Sequence, residues 1–304
     1  MLKLRIGLMP WLSSDLRFEK DWITEAENLG FHSIYATDHL AGGLEALTKL
    51  SALSTITRKA RLGTVVLNAP LRNPVQLANM AASIDIISEG RLELGLGAGY
   101  VEQEFKACGI PFLKPKARIE QLGEAIRIID GLWKNGRLSF SGKYYRIKEA
   151  RCPKPTQHPR PPIMIGGKGE KFLLKLAAKD ADIYNLPHTS LEETRLKLRV
   201  LKEHCLKVGR DFEGMEKSWF GIAVISESQE ELGRGIEALR KLAPDRYPDP
   251  EIAKQRAIIG IPEQCIERIL EYFEEGITYF ILHFLRKEEA RLFGQEVIPR
   301  IRKL

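Results

Sequence analysis

The 304-residue sequence is poor in cysteine, and no two cysteines have the spacing of a metal or redox motif. The four cysteines lie far apart in the chain, at Cys108, Cys152, Cys205 and Cys265. Zinc ribbons require closely spaced cysteine pairs, and small disulfide scaffolds require a denser set of cysteines. The sequence therefore predicts isolated, reduced thiols, which excludes a zinc ribbon and a disulfide framework.

The sequence also lacks a hydrophobic segment long enough to cross a membrane. Its longest apolar run, residues 277–285, is interrupted by Thr278 and His283, whereas a spanning helix requires about 18 apolar residues. The first ten residues have the pattern of a β-strand and show none of the features of a secretory signal peptide. We therefore expect a cytoplasmic protein that has no membrane partner.

Neither sign of charge dominates, and no basic stripe interleaved with aromatic residues occurs. There are 47 Lys+Arg against 40 Asp+Glu, which gives a formal net charge of +7. Nucleic-acid-binding domains usually concentrate their basic residues on one face together with stacking aromatics. We therefore expect no nucleic-acid partner, and the mild positive excess is suited to an anionic small molecule.

The sequence does contain a regular alternation of short apolar runs and helical segments. The runs are too apolar to have a solvated face, which is typical of parallel strands buried on both sides. The predicted strands are Leu4–Met9, Ser33–Thr37, Leu62–Leu67, Arg91–Leu96, Ile163–Gly166, Asp182–Leu186, Trp219–Ile225 and Tyr279–Phe284. Eight strand–helix units with right-handed crossovers close naturally into an α/β barrel. We predict a (β/α)8 TIM barrel that forms a single domain over residues 1–304.

Two segments interrupt the alternation and are predicted insertions. Residues 97–116 form an extended loop after the fourth strand, and residues 138–147 have the pattern of a small hairpin before the fifth strand. Helix starts are better marked. Asn73 followed by Pro74 is a typical N-cap and first helical position, and Ser190 with Glu193 has capping-box spacing.

In a barrel, catalytic side chains follow the carboxyl ends of the strands. The second predicted strand ends in Asp38 and His39, and a carboxylate beside an imidazole is an acid–base or ligand-orienting pair. A capped turn with a surface histidine is the alternative. His188 and His283 follow the sixth and eighth strands, which raises a metal site as a further alternative. The His-x-His motif of metal-dependent barrel hydrolases is absent from the first strand, so no metal is predicted.

The glycine-rich segment 95–99 at the end of the fourth strand is only partly similar to a dinucleotide fingerprint. Tyr100 stands where the third glycine of that fingerprint belongs. The segment instead predicts backbone that a flat ligand can approach closely.

A second pair of glycines, Gly166 and Gly167, ends the fifth strand and is followed by Lys168 and a helix predicted to start near Glu170. Free N–H groups at a helix N-terminus next to a lysine favour a phosphate or other anion. A tight strand-to-helix turn is the alternative.

Four segments of the sequence resemble the luciferase-like monooxygenase superfamily of flavin- and deazaflavin-dependent barrels. They are residues 30–40, 60–105, 160–167 and 260–282, and together they cover most of the length of the chain. The resemblance implies a (β/α)8 barrel, usually a homodimer, that holds a flavin-type cofactor at the strand ends. It also implies a non-prolyl cis peptide at Val65–Val66 that bulges toward the central ring of the cofactor.

The resemblance assigns the cofactor contacts to residues at the ends of four strands. These predicted contacts are Asp38, Thr64, Val65, Val66, Asn68, Gly97, Ala98, Gly99, Tyr100, Gly166, Gly167 and Lys168. The predicted catalytic residues are His39 and Asp38. In the branch that uses the deazaflavin coenzyme F420, the counterpart of His39 lies near the hydride-carrying carbon, and Asp38 is expected to help place it.

The length of the chain and its compact strand ends favour the F420 branch. The resemblance therefore implies hydride transfer between coenzyme F420 and a small organic substrate. An FMN-dependent monooxygenase and a flavin-binding barrel without turnover are the alternatives.

Two departures from the family pattern affect the expected substrate. The sugar-phosphate dehydrogenases of the branch carry a catalytic glutamate where this chain has Tyr100, and Glu104, four residues on, is a poor substitute. The loop after His39 is short, with residues 41–43 preceding a helix predicted near Leu44. We therefore expect a different reaction from that of those dehydrogenases, and an open pocket mouth.

Overall fold

A computed structural model describes residues 4–10, 19–40 and 43–303 of the chain. Part of the short loop predicted at residues 41–43 therefore lies outside the described residues. The strands are β1 (Arg5–Leu8), β2 (Ser33–Ala36), β3 (Arg61–Thr64), β4 (Leu67–Asn68), β5 (Leu92–Gly97), β6 (Arg137–Ser141), β7 (Arg146–Arg151), β8 (Ile163–Gly166), β9 (Ile183–Pro187), β10 (Glu216–Ile225), β11 (Ile258–Gly260) and β12 (Tyr279–Phe284).

Helices separate most of these strands. They are α1 (Lys20–Asn28), α2 (Ala46–Ile56), α3 (Pro74–Ile87), α4 (Glu102–Ala107), α5 (Pro115–Asn135), α6 (Leu173–Asp180), α7 (Leu191–Lys207), α8 (Gln229–Leu242), α9 (Pro250–Arg256), α10 (Pro262–Glu274), α11 (Lys287–Leu292) and α12 (Ile298–Ile301). None of the helices in the described ranges combines the length and the apolar character needed to span a membrane.

Ten of the strands form one sheet, in which nine follow the order β11-β10-β12-β1-β2-β3-β5-β8-β9, β4 pairs with β5, and β9 also pairs with β10. The pairing of β9 with β10 closes the sheet into a barrel. The pairs β1–β12, β1–β2, β10–β12, β3–β5 and β5–β8 are parallel. The predicted (β/α)8 barrel is confirmed. Each of the eight predicted strands has a counterpart, although the third, Leu62–Leu67, is divided into β3 and β4, and β11 is an additional strand of three residues.

The chain divides into two compact units. The first comprises Met1–Tyr35, Asn185–Val200 and Glu216–Leu304, and the second comprises Ala36–Tyr184 and Leu201–Met215. In the first unit, buried aromatic rings pack together, with the ring centroids of Trp219 and Tyr272 5.4 Å apart. In the second unit, α3 packs beside α5, and the side chains of β3 and β5 that face the interior are buried. The prediction of a single domain stays a prediction.

The hairpin predicted before the fifth strand is confirmed as the antiparallel pair β6–β7. Its second arm, predicted to begin at Tyr144, begins at Arg146. The reason is that the backbone N–H groups of Lys143, Tyr144 and Tyr145 donate to the carboxylate of Glu124, over 2.7–3.1 Å. These groups are therefore not available to a strand, and the turn is built around Glu124.

The predicted extended loop after the fourth strand is wrong in one respect, because residues 102–107 form the helix α4. This helix is short, and its one large apolar side chain, Phe105, is buried and packs edge-on against Phe112. A helix with one apolar anchor has no visible periodicity in the sequence. The start of the helix after β8 was also misplaced, since α6 begins at Leu173 rather than near Glu170.

Candidate active site

The predicted site segments come together at the carboxyl ends of neighbouring strands in the second unit. The N–H of Val65 donates to the carbonyl of Ala36 over 2.9 Å, which joins the end of β2 to the end of β3. Asn68 is opposite Gly97 in the β4–β5 pair, and β5 in turn pairs with β8. The segments directly after β2, β3, β5 and β8 are therefore neighbours along the carboxyl edge of the sheet, as the sequence predicts.

The ends of β3 and β5 are fixed by a reciprocal pair of hydrogen bonds. The hydroxyl of Thr64 donates to the carbonyl of Gly95 over 2.8 Å and accepts from its N–H over 3.0 Å. A Cβ atom at Gly95 would lie only 1.8 Å from the carbonyl oxygen of Thr64, so no other residue fits there. The hydroxyl of Thr64 is therefore used within the sheet. The next peptide bond, Val65–Val66, is cis, as predicted.

Asn68 supplies a buried polar atom at this edge. Its N–H donates to Asp38 over 2.8 Å, whereas its side-chain oxygen Oδ1 is buried with no hydrogen-bond partner among the described residues. Gly99 has a φ of 70°, and a Cβ atom there would lie 2.3 Å from this oxygen. Glycine at position 99 therefore permits both the left-handed backbone and its close approach to Asn68.

Asp38 is held by Arg72. The guanidinium donates to both carboxylate oxygens, over 2.6 and 2.7 Å, and its Nη2 also donates to Glu45 over 2.7 Å. The Asp38 and Arg72 side chains are 6% and 14% exposed. Burial tends to lower the pKa of Arg72, but its bonds and charge pairing with Asp38 and Glu45 outweigh this, and the pKa is raised. Asp38 is therefore paired with Arg72 and not with the imidazole of His39, and its expected part in placing His39 stays a prediction.

Glu104 is the residue that contacts the imidazole of His39. Its Oε1 lies 2.9 Å from Nδ1 of His39 and also accepts the N–H of Leu40 over 3.2 Å. The carboxylate is 9% exposed, while the His39 side chain is 46% exposed. An ionised carboxylate only accepts hydrogen bonds, so Nδ1 carries a proton and Nε2 is the nitrogen free for chemistry. The ring of Tyr100 is edge-on to the imidazole, with centroids 6.1 Å apart.

Glu104, expected to be a poor substitute for the glutamate of the related dehydrogenases, lies in α4, a helix that the apolar pattern does not show. The sequence feature that could have identified this position is Phe105, the one large apolar residue in a run of polar residues, directly after Glu104. Placed on a helix, Phe105 points to the core and anchors the position of its neighbour.

The segment Gly166–Lys168 lies at the end of β8, but it is not directly at a helix N-terminus. Gly167 has a φ of 138°, and a Cβ atom there would lie 2.5 Å from Cδ2 of Leu173. Its carbonyl accepts the hydroxyl of Tyr184 over 2.8 Å, and burial raises the pKa of that hydroxyl. The predicted helix-terminus geometry at Glu170 is therefore wrong, and the phosphate contacts assigned to Gly166, Gly167 and Lys168 stay a prediction.

The remaining strand-end histidines lie in the first unit and make separate contacts. Nδ1 of His283 is 2.8 Å from the carbonyl of Met9, and burial lowers the pKa of this imidazole. Nδ1 of His188 is 2.8 Å from the hydroxyl of Tyr247. Within residues 4–10, 19–40 and 43–303, no three His, Cys, Asp or Glu side chains form a group that could hold a metal ion.

Comparisons with known proteins find similarities over most of the chain. The sequence model of a family described as "Luciferase-like monooxygenase" matches residues 2–279. The chain is 28% identical to the F420-dependent glucose-6-phosphate dehydrogenase of Microbacterium testaceum, over 91% of each chain. It is 26% identical to the FMNH2-dependent dimethylsulfone monooxygenase of Pseudomonas putida, over 96% of this chain and 90% of that protein. An F420-dependent secondary alcohol dehydrogenase solved with an F420–acetone adduct has the same fold, with a TM-score of 0.87, 22% identity and 99% coverage of both chains.

Proposed function

This chain belongs to the luciferase-like monooxygenase family, and from that premise we propose that it is an oxidoreductase that transfers a hydride between coenzyme F420 and a small organic substrate. The observation that carries the proposal is the half-exposed imidazole of His39, anchored through Nδ1 by the buried carboxylate of Glu104 at the strand ends. The similarity to F420-dependent glucose-6-phosphate dehydrogenases over most of both chains supports this choice of cofactor.

The strand-end residues fit a flat, hydrogen-bonding ring system. The buried Oδ1 of Asn68 has no partner among the described residues, and leaving such an oxygen unsatisfied costs about 1–3 kcal/mol. An N–H group on the ring of a deazaflavin or flavin would satisfy it. Val66, Ala98 and Gly99 are only partly buried and would contact the same ring. Gly166, Gly167 and Lys168 are partly or fully exposed and would hold the phosphate-bearing tail.

When bound, coenzyme F420 supplies the carbon that donates or accepts the hydride. His39 provides the proton transfer that accompanies oxidation or reduction of a carbonyl or alcohol, acting at Nε2 because Glu104 holds Nδ1. The carboxylate of Glu104 also stabilises the positive charge that the imidazole gains when Nε2 takes a proton. The two hydrogen bonds from Arg72 fix the position of Asp38, the residue that precedes His39.

An FMN-dependent monooxygenase is the second candidate, supported by the similarity to the dimethylsulfone monooxygenase. Anaerobic titration of the purified protein with F420 and with FMN, each followed by fluorescence, distinguishes the two. We expect F420 to bind at least about tenfold more tightly, a difference of about 1.4 kcal/mol. Tighter binding of FMN would transfer the proposal to the monooxygenase. Tight binding of F420, with neither its reduction by a panel of alcohols nor oxidation of its reduced form by a panel of carbonyl compounds, would indicate a binding protein without turnover.

We also propose a homodimer, as the family resemblance implies. The helix α3 exposes Met80, Ile86 and Ile87, which are 40%, 44% and 48% exposed. Exposed apolar side chains grouped on one helix are typical of protein interfaces. Met80→Glu should therefore shift the protein toward monomer in light scattering, while Leu206→Glu on α7, 73% exposed, should not. A wild-type protein that is monomeric at high concentration would contradict the dimer. The cytoplasmic location stays a prediction.

A further inference from the structure

A cluster of His188, Arg246 and Tyr247 in the first unit is not used by the proposed function. His188 directly follows β9 and has a φ of 50°, a conformation that is uncommon for a residue with a side chain. Its ring is buried and packs against Phe220, with centroids 4.9 Å apart. Non-glycine residues held in the left-handed region are concentrated at functional sites.

The hydrogen bonds of this cluster fix the direction of the arginine. Nη1 of Arg246 lies 3.0 Å from Nε2 of His188, and Nδ1 of His188 lies 2.8 Å from the hydroxyl of Tyr247. A guanidinium can only donate, so Nε2 is the accepting nitrogen, and Nδ1–H donates to Tyr247. The buried imidazole therefore acts as a neutral bracket that orients the half-buried guanidinium.

The charge of Arg246 is not neutralised within the part of the chain that the structure describes. Among the described residues, the guanidinium of Arg246 is hydrogen-bonded to the neutral imidazole of His188, and no carboxylate lies within ion-pair distance of this guanidinium. Arg256, the neighbouring cation, differs in this respect, because it is paired with Glu193 over 2.8 Å. The charged groups that act on the buried Tyr247 hydroxyl are the guanidiniums of Arg246 and Arg256, with no carboxylate among them. Arg246 is therefore a cation without a carboxylate partner among the described residues.

We propose that Arg246, oriented by His188, binds the anionic oxygen group of a small molecule, a phosphate or a carboxylate. A guanidinium with unused donors matches the paired oxygens of either group. Arg246 lies in the segment after α8 and His188 directly follows β9, which is the strand end where barrel enzymes bind substrates. This anion site does not depend on the proposed function.

The test is a titration of the coenzyme-free protein, labelled with ¹⁵N-histidine, with inorganic phosphate and separately with acetate, at constant pH and ionic strength. We expect phosphate to shift the signals of His188, because an anion on Arg246 changes the hydrogen bond to Nε2. In Arg246→Gln the dissociation constant should rise at least about tenfold, as expected for loss of a charge-assisted hydrogen bond. Arg234→Gln removes the same charge from an exposed position on α8 and should bind phosphate like the wild type.

Three results would overturn the proposal. They are unchanged His188 signals at saturating phosphate and acetate, equal affinities in wild type and Arg246→Gln, and equal losses in Arg246→Gln and Arg234→Gln. Arg246→Lys keeps the charge and should retain part of the affinity, which separates loss of binding from local unfolding. Shifts with phosphate but not acetate would assign the site to a phosphoryl group, and shifts with both to anionic oxygen in general. Because no coenzyme is present, failure of F420 binding leaves this result unaffected.

Discussion

Arg72 donates one hydrogen bond to each carboxylate oxygen of Asp38, over 2.6 and 2.7 Å, and the pair is almost completely buried. Replacing one member of such a pair leaves the other charge buried without its partner. We expect Arg72→Met to lower the free energy of unfolding by about 3 kcal/mol. Denaturant titration measures the loss. Arg234→Met, which breaks an exposed pair with Glu230, should change stability by less than about 0.5 kcal/mol. Equal effects of the two substitutions would contradict the structural role of Asp38.

The side-chain partners of Asp38 and His39 could not be predicted from the sequence. Asp38 and His39 are neighbours in sequence, which favoured a direct pairing of the two side chains. In the structure, however, each of the two side chains has its own partner. Asp38 contacts Arg72, and His39 contacts Glu104. These partners are 34 and 65 residues away in sequence, and no local spacing reveals them.

The barrel strands could be predicted because each is a continuous apolar run bounded by helices. The break between β3 and β4 and the three residues of β11 have no pattern in the sequence. The start of α6 has another cause. The N–H of Leu174 donates to the carbonyl of Gly169, five residues back, over 3.0 Å, which is a wide turn and not an α-helical bond. The apolar pattern does not show this turn.

Gly167 and Gly169 should differ in their tolerance of a methyl group. At Gly167 the φ of 138° and the contact with Leu173 both oppose a side chain, whereas a Cβ atom at Gly169 would lie 3.5 Å from Cβ of Leu173, an ordinary contact. We expect Gly167→Ala to lower stability by about 1–3 kcal/mol and Gly169→Ala by less than about 0.5 kcal/mol. Thermal unfolding of the two variants is the measurement. If Gly167→Ala melts like the wild type, the left-handed conformation at this residue is wrong.

His283 should make the protein less stable in mild acid. Burial lowers the pKa of its imidazole below the usual 6.5, although the hydrogen bond to Met9 opposes this. The unfolded chain therefore takes up a proton at a higher pH than the folded chain. Stability from this residue is complete above pH 6.5 and is lost as the pH falls below it, by up to about 1.4 kcal/mol per pH unit.

Unfolding measured at a series of pH values tests this prediction. His283→Gln should have a shallower loss of stability in acid than the wild type. His158→Gln, at an exposed position, should leave the slope unchanged. A wild-type slope that persists in His283→Gln would show that another group is responsible.

The last prediction concerns the way in which Glu104 acts. If it acts by holding Nδ1 of His39, the two side chains form one catalytic unit, and the effects of their substitutions are not additive. We expect His39→Ala and Glu104→Ala each to lower turnover with F420 at least about tenfold, with coenzyme affinity little changed. The double variant should be no slower than His39→Ala alone. Glu102→Ala removes an exposed carboxylate from the same helix and should retain wild-type turnover.

The ¹⁵N signals of His39 add a measurement that does not depend on turnover. They should show a proton on Nδ1 in the wild type and a mixture of both neutral forms in Glu104→Ala, since nothing then favours Nδ1–H. Multiplicative losses in the double variant, or an unchanged tautomer in Glu104→Ala, would show that Glu104 contributes through a contact other than the one with His39.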